Sequence, residues 1–235
     1  MTLPSSFRGR SSRSASWLSS LLLGVTLATW GAGCDSEEDP LPAVPPISQA
    51  RAEASGSTVT VEGAVSVAPG TFVSALEDEG FAIQDNSGGI YVKITQKLDF
   101  GLGTRVRVTG TLGEQNKLRI LKAEPANVQT LQGTTPVVPV NVTTAEVNES
   151  REGQLVRVSG NVTQTFEDDS PYGYKLYIDD GSGEVQVFVH VSAGFDKAAL
   201  QALTAGQRIT VVGLTAQYES TYEVAPRQPS DLTVN

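Results

Sequence analysis

The fold is decided by a ten-residue stretch, IQDNSGGIYV at residues 83–92, which recurs 95 positions later as IDDGSGEVQV at residues 178–187. In both copies, branched aliphatic residues alternate with other residues on either side of an acidic, glycine-containing centre. This alternation is typical of strands with one buried face, and Asp, Asn, Ser and Gly at the centre are typical of a tight turn. Each copy is therefore predicted to be a β-hairpin.

Three further segments repeat in the same order, so the two hairpins belong to two copies of a larger unit. The matched pairs are GSTVTVEG at 56–63 with GQLVRVSG at 153–160, GTRVRVTG at 103–110 with GQRITVVG at 206–213, and 118–120 with 222–224. Their offsets are 97, 103 and 104 residues. Ordered matches at nearly constant spacing predict two homologous domains, residues 47–135 and 136–235.

Each unit shows the pattern of five strands. The predicted strands are 58–67, 80–85, 90–95, 104–112 and 117–122 in the first unit, and 154–164, 173–180, 184–191, 207–216 and 221–225 in the second. Eight extra residues precede the fourth strand of the second unit, where Asp196 can cap a short helix that Gly206 ends. Short helical segments are also predicted at 47–54 and 144–150. The pattern predicts an all-β fold with two tandem five-stranded OB-fold (Greek-key) barrels.

The repeated motifs, together with YEVAPRQPSDL at 222–232, resemble the bacterial extracellular OB-fold modules that are attached to secreted nucleases and phosphatases. The resemblance covers nearly the whole chain beyond residue 46. It implies a binding module, and we expect this chain to lack the catalytic domain that such modules usually accompany.

The N-terminal 33 residues have the layout of a bacterial lipoprotein signal peptide. Arginines precede an apolar stretch at 17–30, and small residues lead to Cys34, although Gly31 stands where such signals usually carry Leu. We expect lipidation at Cys34, with ordinary cleavage or an uncleaved anchor as the alternatives. Residues 34–46 are acidic and rich in proline, which predicts an extended tether. The protein is therefore expected to be exported and anchored by its lipid in the bacterial cell envelope, at the periplasmic face or the cell surface.

Composition excludes several functional classes. The 235 residues include one Cys and one His, too few for an internal disulfide, a Cys-rich zinc site or a multi-His metal cage. The formal charge is −9, and it becomes −12 without the segment before Cys34, which carries three arginines and no acid. Such a charge disfavours a broad phosphate-binding surface. No catalytic or cofactor-binding motif is present, so we expect neither an enzyme nor a cofactor nor a metal.

The acidic turns have two interpretations. Asp85, Asp179 and Asp180 could bind a cation, or their carboxylates could accept hydrogen bonds from the amides of their own turns. The second interpretation is favoured, because both copies place the motif between two strands.

Strand alternation predicts an outward-facing ligand surface on each barrel. OB-folds bind ligands around strands two and three, with aromatic side chains and nearby cations. The candidate ligand-binding residues are Tyr91, Lys93, Arg105 and Arg107 in the first unit and Lys175, Tyr177, Phe188 and His190 in the second. The alternative is that the aromatic residues cover the flanks of the barrels or a contact between the domains, while the charged residues keep the face soluble. His190, without a nucleophile motif, is expected to be a surface residue rather than a catalyst.

These patterns predict a lipid-anchored, non-catalytic binding or scaffold module. The expected partners are the membrane, through the N-terminal lipid, and a nucleic acid, an oligosaccharide or an envelope protein. The alternative function is a single-strand nucleic-acid-binding accessory to a secreted nuclease.

Overall fold

The computed structural model describes residues 43–72 and 78–235. The predicted signal peptide, Cys34 and most of the predicted tether therefore lie outside the described residues. The described residues belong to one compact unit, Pro42–Asn235. They form two β-sheets and two short α-helices, α1 (Ile47–Arg51) and α2 (Lys197–Gln201).

The first sheet closes into a five-stranded barrel. The sheet has six strands, of which the first five form the barrel: β1 (Thr58–Val67), β2 (Phe81–Gln84), β3 (Gly89–Lys93), β4 (Thr104–Gln115), β5 (Leu118–Lys122) and β6 (Val128–Thr134). The order around the barrel is β1-β2-β3-β5-β4, and antiparallel pairing of β4 with β1 closes the ring. The β3–β5 pairing is parallel, and β6 pairs with β4 outside the ring.

The second sheet repeats this arrangement. Its strands are β7 (Val140–Asn141), β8 (Leu155–Val162), β9 (Glu167–Asp169), β10 (Gly173–Asp179), β11 (Val185–His190), β12 (Arg208–Tyr218), β13 (Thr221–Ala225) and β14 (Leu232–Val234). The ring β8-β10-β11-β13-β12 closes through β12–β8 pairing, and β11 and β13 pair in parallel. Below, the ring of the first sheet is called the first barrel and that of the second sheet the second barrel.

The predicted fold class is confirmed, because both rings have the five-stranded Greek-key topology of an OB-fold. Every predicted strand is present, with bounds that differ by a few residues. The sequence pattern missed β6, β7, β9 and β14, which are short or largely exposed and therefore lack an alternating apolar face. The domain limits 47–135 and 136–235 stay a prediction, since the described residues form one compact unit.

The interior of each barrel is filled by apolar side chains, among them the aliphatic residues of the two repeated hairpins. Val92 and Val187, which hold equivalent positions in the two hairpins, are both fully buried. The first core consists mainly of Val61, Val65, Phe81, Ile83, Ile90, Val92, Val106, Val108 and Leu121, and the second of Val156, Val158, Leu176, Ile178, Val187, Val189, Ile209, Val211 and Val224. Helix α1 adds Ile47 and Ala50 to the first core.

The predicted helical segments are present in shortened form. Asp196 caps α2 by accepting a hydrogen bond from the Ala198 amide at 2.9 Å, and Leu200 anchors the helix in the second core. The predicted segment at 47–54 is α1, which ends at Arg51. The segment at 144–150 forms two 3-10 turns, Thr144–Glu146 and Glu149–Arg151.

The two barrels pack directly against each other. A third apolar cluster joins Val67, Phe72, Ala82, Tyr91 and Ile120 of the first half to Leu214 and Ala225 of the second. Beside it, the backbones of Gly89 and Gly153 meet so closely that a Cβ built on Gly89 would lie 1.9 Å from the Gly153 carbonyl oxygen. Only glycine allows this approach, so the sequence is adapted to hold the barrels together at this point.

Candidate functional site: a cleft between the barrels

Polar contacts fix the two barrels in one arrangement. Glu152, a buried residue of the second half, accepts hydrogen bonds through Oε1 from the Arg51 guanidinium at 2.8 Å and from the Arg119 amide at 3.0 Å. The Leu155 amide donates to the Gln84 side-chain oxygen at 2.7 Å. Charge-assisted hydrogen bonds are stronger than neutral ones, and removing one partner of a buried ion pair is strongly destabilising because it leaves the other charge unpaired. These contacts therefore tie the two halves together.

More contacts lie at the opposite side of the junction. Arg227 donates to the Ser66 carbonyl oxygen at 2.9 Å, while a bidentate pair with Asp231 holds its guanidinium. The Glu219 amide donates to the Asn116 carbonyl oxygen at 2.7 Å, which joins the β4–β5 turn to the β12–β13 turn.

A cavity of about 510 Å³ opens between these contacts, and we call it the inter-barrel cleft. The first half contributes Phe72, Asp78, Tyr91, Gln115, Asn116, Leu118 and Ile120. The second half contributes Asp169, Tyr172, Lys175, Gln186, Phe188, His190, Leu214, Ala216, Gln217, Tyr218, Glu223 and Ala225. Its size and its mixture of apolar walls with a few polar groups are typical of small-molecule sites.

Aromatic rings form one wall of the inter-barrel cleft. The His190 ring stacks on Phe72 with a centroid distance of 4.5 Å and meets Phe188 edge-on at 4.9 Å. Because this packing removes the imidazole from water, burial lowers the pKa of His190 to about 4. His190 is therefore uncharged at neutral pH.

Two acidic side chains in the inter-barrel cleft are perturbed by burial. Burial raises the pKa of Glu223 to about 7, against a smaller opposing effect of the hydrogen bond that Gln186 Nε2 donates to it at 2.8 Å. Burial likewise raises the pKa of Asp78, whose Oδ1 accepts the Gly80 amide at 2.9 Å. Clustered perturbed groups in a cleft are a mark of functional sites, although structural networks produce them too.

Tyr91 brings a buried hydroxyl to the same place. The residue is 5% exposed, and burial raises its pKa well above the usual value, with the Asp78 carboxyl adding to the effect. Although Asp78 is close enough to influence it, Tyr91 Oη makes no hydrogen bond of acceptable geometry with any residue in 43–72 or 78–235. A buried hydroxyl without a partner is unfavourable.

The structure brings four of the eight predicted ligand-binding residues together in the inter-barrel cleft. Tyr91, Lys175, Phe188 and His190 all line it. They point out of their own barrels, as alternation predicted, but Tyr91 and Phe188 are covered by the opposite half and are 5% and 9% exposed. They are therefore cleft walls at a contact between the barrels, the alternative interpretation, and not open stacking platforms.

The other four predicted residues lie outside the inter-barrel cleft. Arg107 forms an ion pair with Glu62 on the β1–β4 face, with Nε donating at 2.7 Å, and Arg105 lies 4.0 Å from the same carboxylate. Lys93 donates to the Gln115 side chain at the margin of the cleft. Tyr177 donates to Glu167 at 3.3 Å. No shared ligand surface joins these four among the residues that the structure describes.

The acidic turns are structural in both copies. Asp85 Oδ1 accepts the Ser87 and Gly88 amides at 2.7 and 3.0 Å, and its Oδ2 accepts the Ile47 amide at 2.9 Å. Asp180 repeats the device on the Ser182 and Thr144 amides at 3.0 and 3.2 Å, and hydrogen bonds from the side-chain hydroxyls of Ser182 and Thr144 are the main cause of its lowered pKa. Each turn therefore caps the helical segment that precedes its own barrel. Within the part of the chain that the structure describes, no three His, Cys, Asp or Glu side chains converge as a metal site.

Sequence reasoning missed Glu223, Asp78, Gln186 and Phe72. The sequence contained one indication of Glu223. In the alignment of the two copies it corresponds to Arg119, so the charge is reversed within otherwise matched strands. The others had none, because their importance comes from the packing of one barrel on the other.

The described helices include none that is both long enough and apolar enough to cross a membrane. No family model matches the chain, and no curated protein matches it. Three solved structures with remote likeness illustrate what the structural comparison found. One is the p204 HINb domain, with 12% identity, a TM-score of 0.38 and coverage of 77% of this chain and 98% of that chain.

The second is a murine DNA-binding protein bound with double-stranded DNA, with 11% identity, a TM-score of 0.39 and coverage of 74% of this chain and 94% of that chain. The third is the Ifi202 HINa domain in complex with a 20-base-pair DNA, with 10% identity, a TM-score of 0.37 and coverage of 76% and 98%. At these identities and TM-scores the likeness does not indicate what this chain binds.

Proposed function

We propose that this protein is an exported, lipid-anchored binding protein that holds a small organic ligand in the inter-barrel cleft without transforming it. The observation that carries the proposal is the cavity of about 510 Å³ between two firmly joined OB-fold barrels. Its aromatic walls offer contact area, and its amide and carboxyl groups offer directional hydrogen bonds.

The surroundings of His190 support a binding role for the cleft. Its ring packs between Phe72 and Phe188, so it adds to the aromatic wall that a ligand would contact.

Fragment binding tests the cleft directly. A library of neutral, cationic and anionic fragments is added to the ¹⁵N-labelled full chain, and amide shifts are mapped by NMR. We expect the shifts to cluster at Ile120, Phe188, Leu214 and Glu223. The variant Ala216→Phe, which places a ring in the cleft, should abolish them, whereas Ala126→Phe at an exposed position should not. If no fragment shifts the cleft amides, or Ala216→Phe has no effect, the proposal is wrong.

The lipid anchor is proposed from the sequence layout around Cys34. Expression in a bacterial host should give a membrane-associated protein whose N-terminal peptide starts at Cys34 and carries the mass of a diacylglyceryl or triacyl group. Cys34→Ser should release it from the membrane fraction. An unmodified Cys34 in intact protein would contradict the anchor.

Single-strand nucleic acid is the second candidate. It is favoured by the position of Lys175 on the OB-fold face that commonly binds strands, although the opposite half covers Tyr91 and Phe188 on that face. It is disfavoured by the charges, because Lys175, Arg105 and Arg107 each lie within 4.0 Å of a carboxylate.

A salt titration separates the two candidates. Fluorescence anisotropy with a labelled thymidine oligonucleotide and a 20-base-pair duplex should show no binding at 50 mM salt. Binding that weakens steeply with salt and is lost in Lys175→Ala would favour nucleic acid instead.

A further inference from the structure

We infer that the ligand of the inter-barrel cleft is a small organic cation, held by carboxyl groups and aromatic faces. This inference rests on the proposed function, because it names the chemical class that the same cleft takes. Three features of the cleft support it: acids outnumber cations, the buried acids have neutral partners, and the walls are aromatic.

The charges of the cleft do not balance. Asp78, Asp169 and Glu223 line it, whereas Lys175 is the one cation among the described lining residues. Lys175 Nζ lies 3.3 Å from Asp169 Oδ2, so these two side chains form a pair. Among residues 43–72 and 78–235, no cation lies in direct contact with Asp78 or Glu223.

The partners of these two acids are neutral donors. Glu223 is 7% exposed and receives its hydrogen bond from the Gln186 amide group, while Asp78 is 5% exposed and receives one from the Gly80 backbone. Lys175 and Lys93 act on them only at longer range. A buried carboxylate without a counter-ion is costly, and its pKa rises as a result, which is the direction found for both groups. A bound cation would supply the missing counter-charge.

An independent feature also indicates a ligand. Tyr91 is 5% exposed and lines the cleft, and its Oη lies near enough to Asp78 for that carboxyl to raise its pKa, yet Oη makes no hydrogen bond of good geometry within the described residues. An ammonium or guanidinium N–H can donate to that oxygen, which satisfies it. The ligand would thereby reach the first half through Tyr91 and Asp78 and the second half through Glu223.

The aromatic wall favours the same class. Phe72, Tyr91 and Phe188 line the cleft, and aromatic faces attract ammonium and guanidinium groups electrostatically. His190 does not oppose this, because its low pKa leaves it uncharged at neutral pH. A phosphate or carboxylate ligand would instead meet two unpaired acids, and a neutral sugar would leave both acids uncompensated.

A pair of probes with the same shape isolates the effect of charge. Choline and its neutral carbon isostere, 3,3-dimethylbutan-1-ol, are titrated into the full chain by calorimetry, with spermidine and agmatine as further cations and maltotriose as a neutral sugar. We expect at least one cation to bind and, for choline, an affinity at least about tenfold above that of its isostere.

A matched pair of variants locates the site. Glu223→Gln keeps the size of the side chain and removes its charge, so cation affinity should fall at least about tenfold. The control, Glu184→Gln, removes one negative charge outside the cleft, where Glu184 accepts hydrogen bonds from Thr163 and Gln164. It should leave the cation affinity unchanged. Thermal unfolding verifies that both variants are folded, and the isostere comparison on the unmodified chain needs no variant.

Proton linkage gives a further readout. A cation favours ionised Glu223, so its affinity should increase from pH 6 to pH 8 as Glu223 loses its proton, whereas the isostere should show no such trend. The charged and titratable groups that share the cleft with Glu223 are Lys175, Asp169, Tyr172, Tyr218 and His190 of the second half and Asp78 and Tyr91 of the first. In Glu223→Gln the pH trend should disappear.

The outcomes separate this inference from the proposed function. The inference of a cationic ligand is wrong if neutral or anionic fragments bind the cleft while no cation binds, or if choline and its isostere bind equally. The proposal that the cleft binds a small molecule would be retained in either case. Equal losses in Glu223→Gln and Glu184→Gln would also overturn the cation, because its binding would then follow net charge rather than the cleft. If no probe and no fragment binds the cleft, both conclusions fall.

Discussion

Glu223 is a charged residue that the fold places in the contact between two barrels. Its folded-state pKa of about 7 lies above the ordinary value of 4.5, so its ionisation opposes folding. Below about pH 4.5 the carboxyl is protonated in both the folded and the unfolded chain and has no effect on stability. As the pH rises from there through about 7, the unfolded chain releases its proton first, and the free energy of unfolding decreases.

Replacing Glu223 should therefore change how stability depends on pH. Between pH 4.5 and pH 8 the unmodified chain should lose about 3 kcal/mol of unfolding free energy that Glu223→Gln retains, because glutamine imitates the protonated carboxyl. Urea unfolding at several pH values measures the difference. Glu184→Gln serves as the control and should keep the full pH dependence. Parallel curves for the unmodified chain and Glu223→Gln would contradict the burial of an unpaired acid.

Prediction from sequence was accurate for residues whose environment is set by their own barrel. Val92 and Val187 hold alternating apolar positions in the two hairpins, which predicts one buried face, and both are fully buried. Tyr91 and Phe188 were placed outward, also correctly, but a pattern of period two distinguishes the two faces of a strand and does not tell whether water or another barrel covers the outer one. The inter-barrel cleft could not be predicted for the same reason.

At the level of elements, a close backbone approach between the barrels joins the start of β3 to the segment before β8. Gly89 and Gly153 meet backbone to backbone there, and Gly153 adopts a φ of 81°, which favours glycine. The Arg51–Glu152 pair lies beside them, and a Cβ built on Gly153 would come 3.1 Å from Arg51 Nη1. The glycines thus determine how closely α1 and β3 approach the second half.

Gly89→Ala should force these elements apart. Its Cβ would lie 1.9 Å from the Gly153 carbonyl oxygen, and relieving this clash requires the backbone to shift. We therefore expect the free energy of unfolding to fall by about 2 kcal/mol. The control is Gly101→Ala, whose Cβ meets no atom within 4 Å. Equal melting temperatures for the two variants would show that the glycine contact is unimportant.

For the whole molecule, the main consequence of the shared packing is cooperativity. The cluster around Tyr91, Ile120 and Leu214 belongs to both halves, and Glu152 and Arg227 cross the same boundary. Neither barrel can unfold without exposing apolar surface of the other.

We therefore expect a single unfolding transition for residues 47–235. Scanning calorimetry should give equal calorimetric and van't Hoff enthalpies. Two separated transitions, or a calorimetric enthalpy well above the van't Hoff value, would show that the barrels are energetically independent.

The apolar cluster between the barrels also affects what happens when the chain is cut. A nick in the uncharged segment between β6 and β7 would leave Phe72 and Ile120 on one piece and Leu214 and Ala225 on the other. When separated, each piece would expose an apolar patch that the intact protein buries, and it would tend to aggregate. Mixed together, the pieces are suited to reassociate through that patch, so the protein is a natural candidate for a split, self-complementing pair.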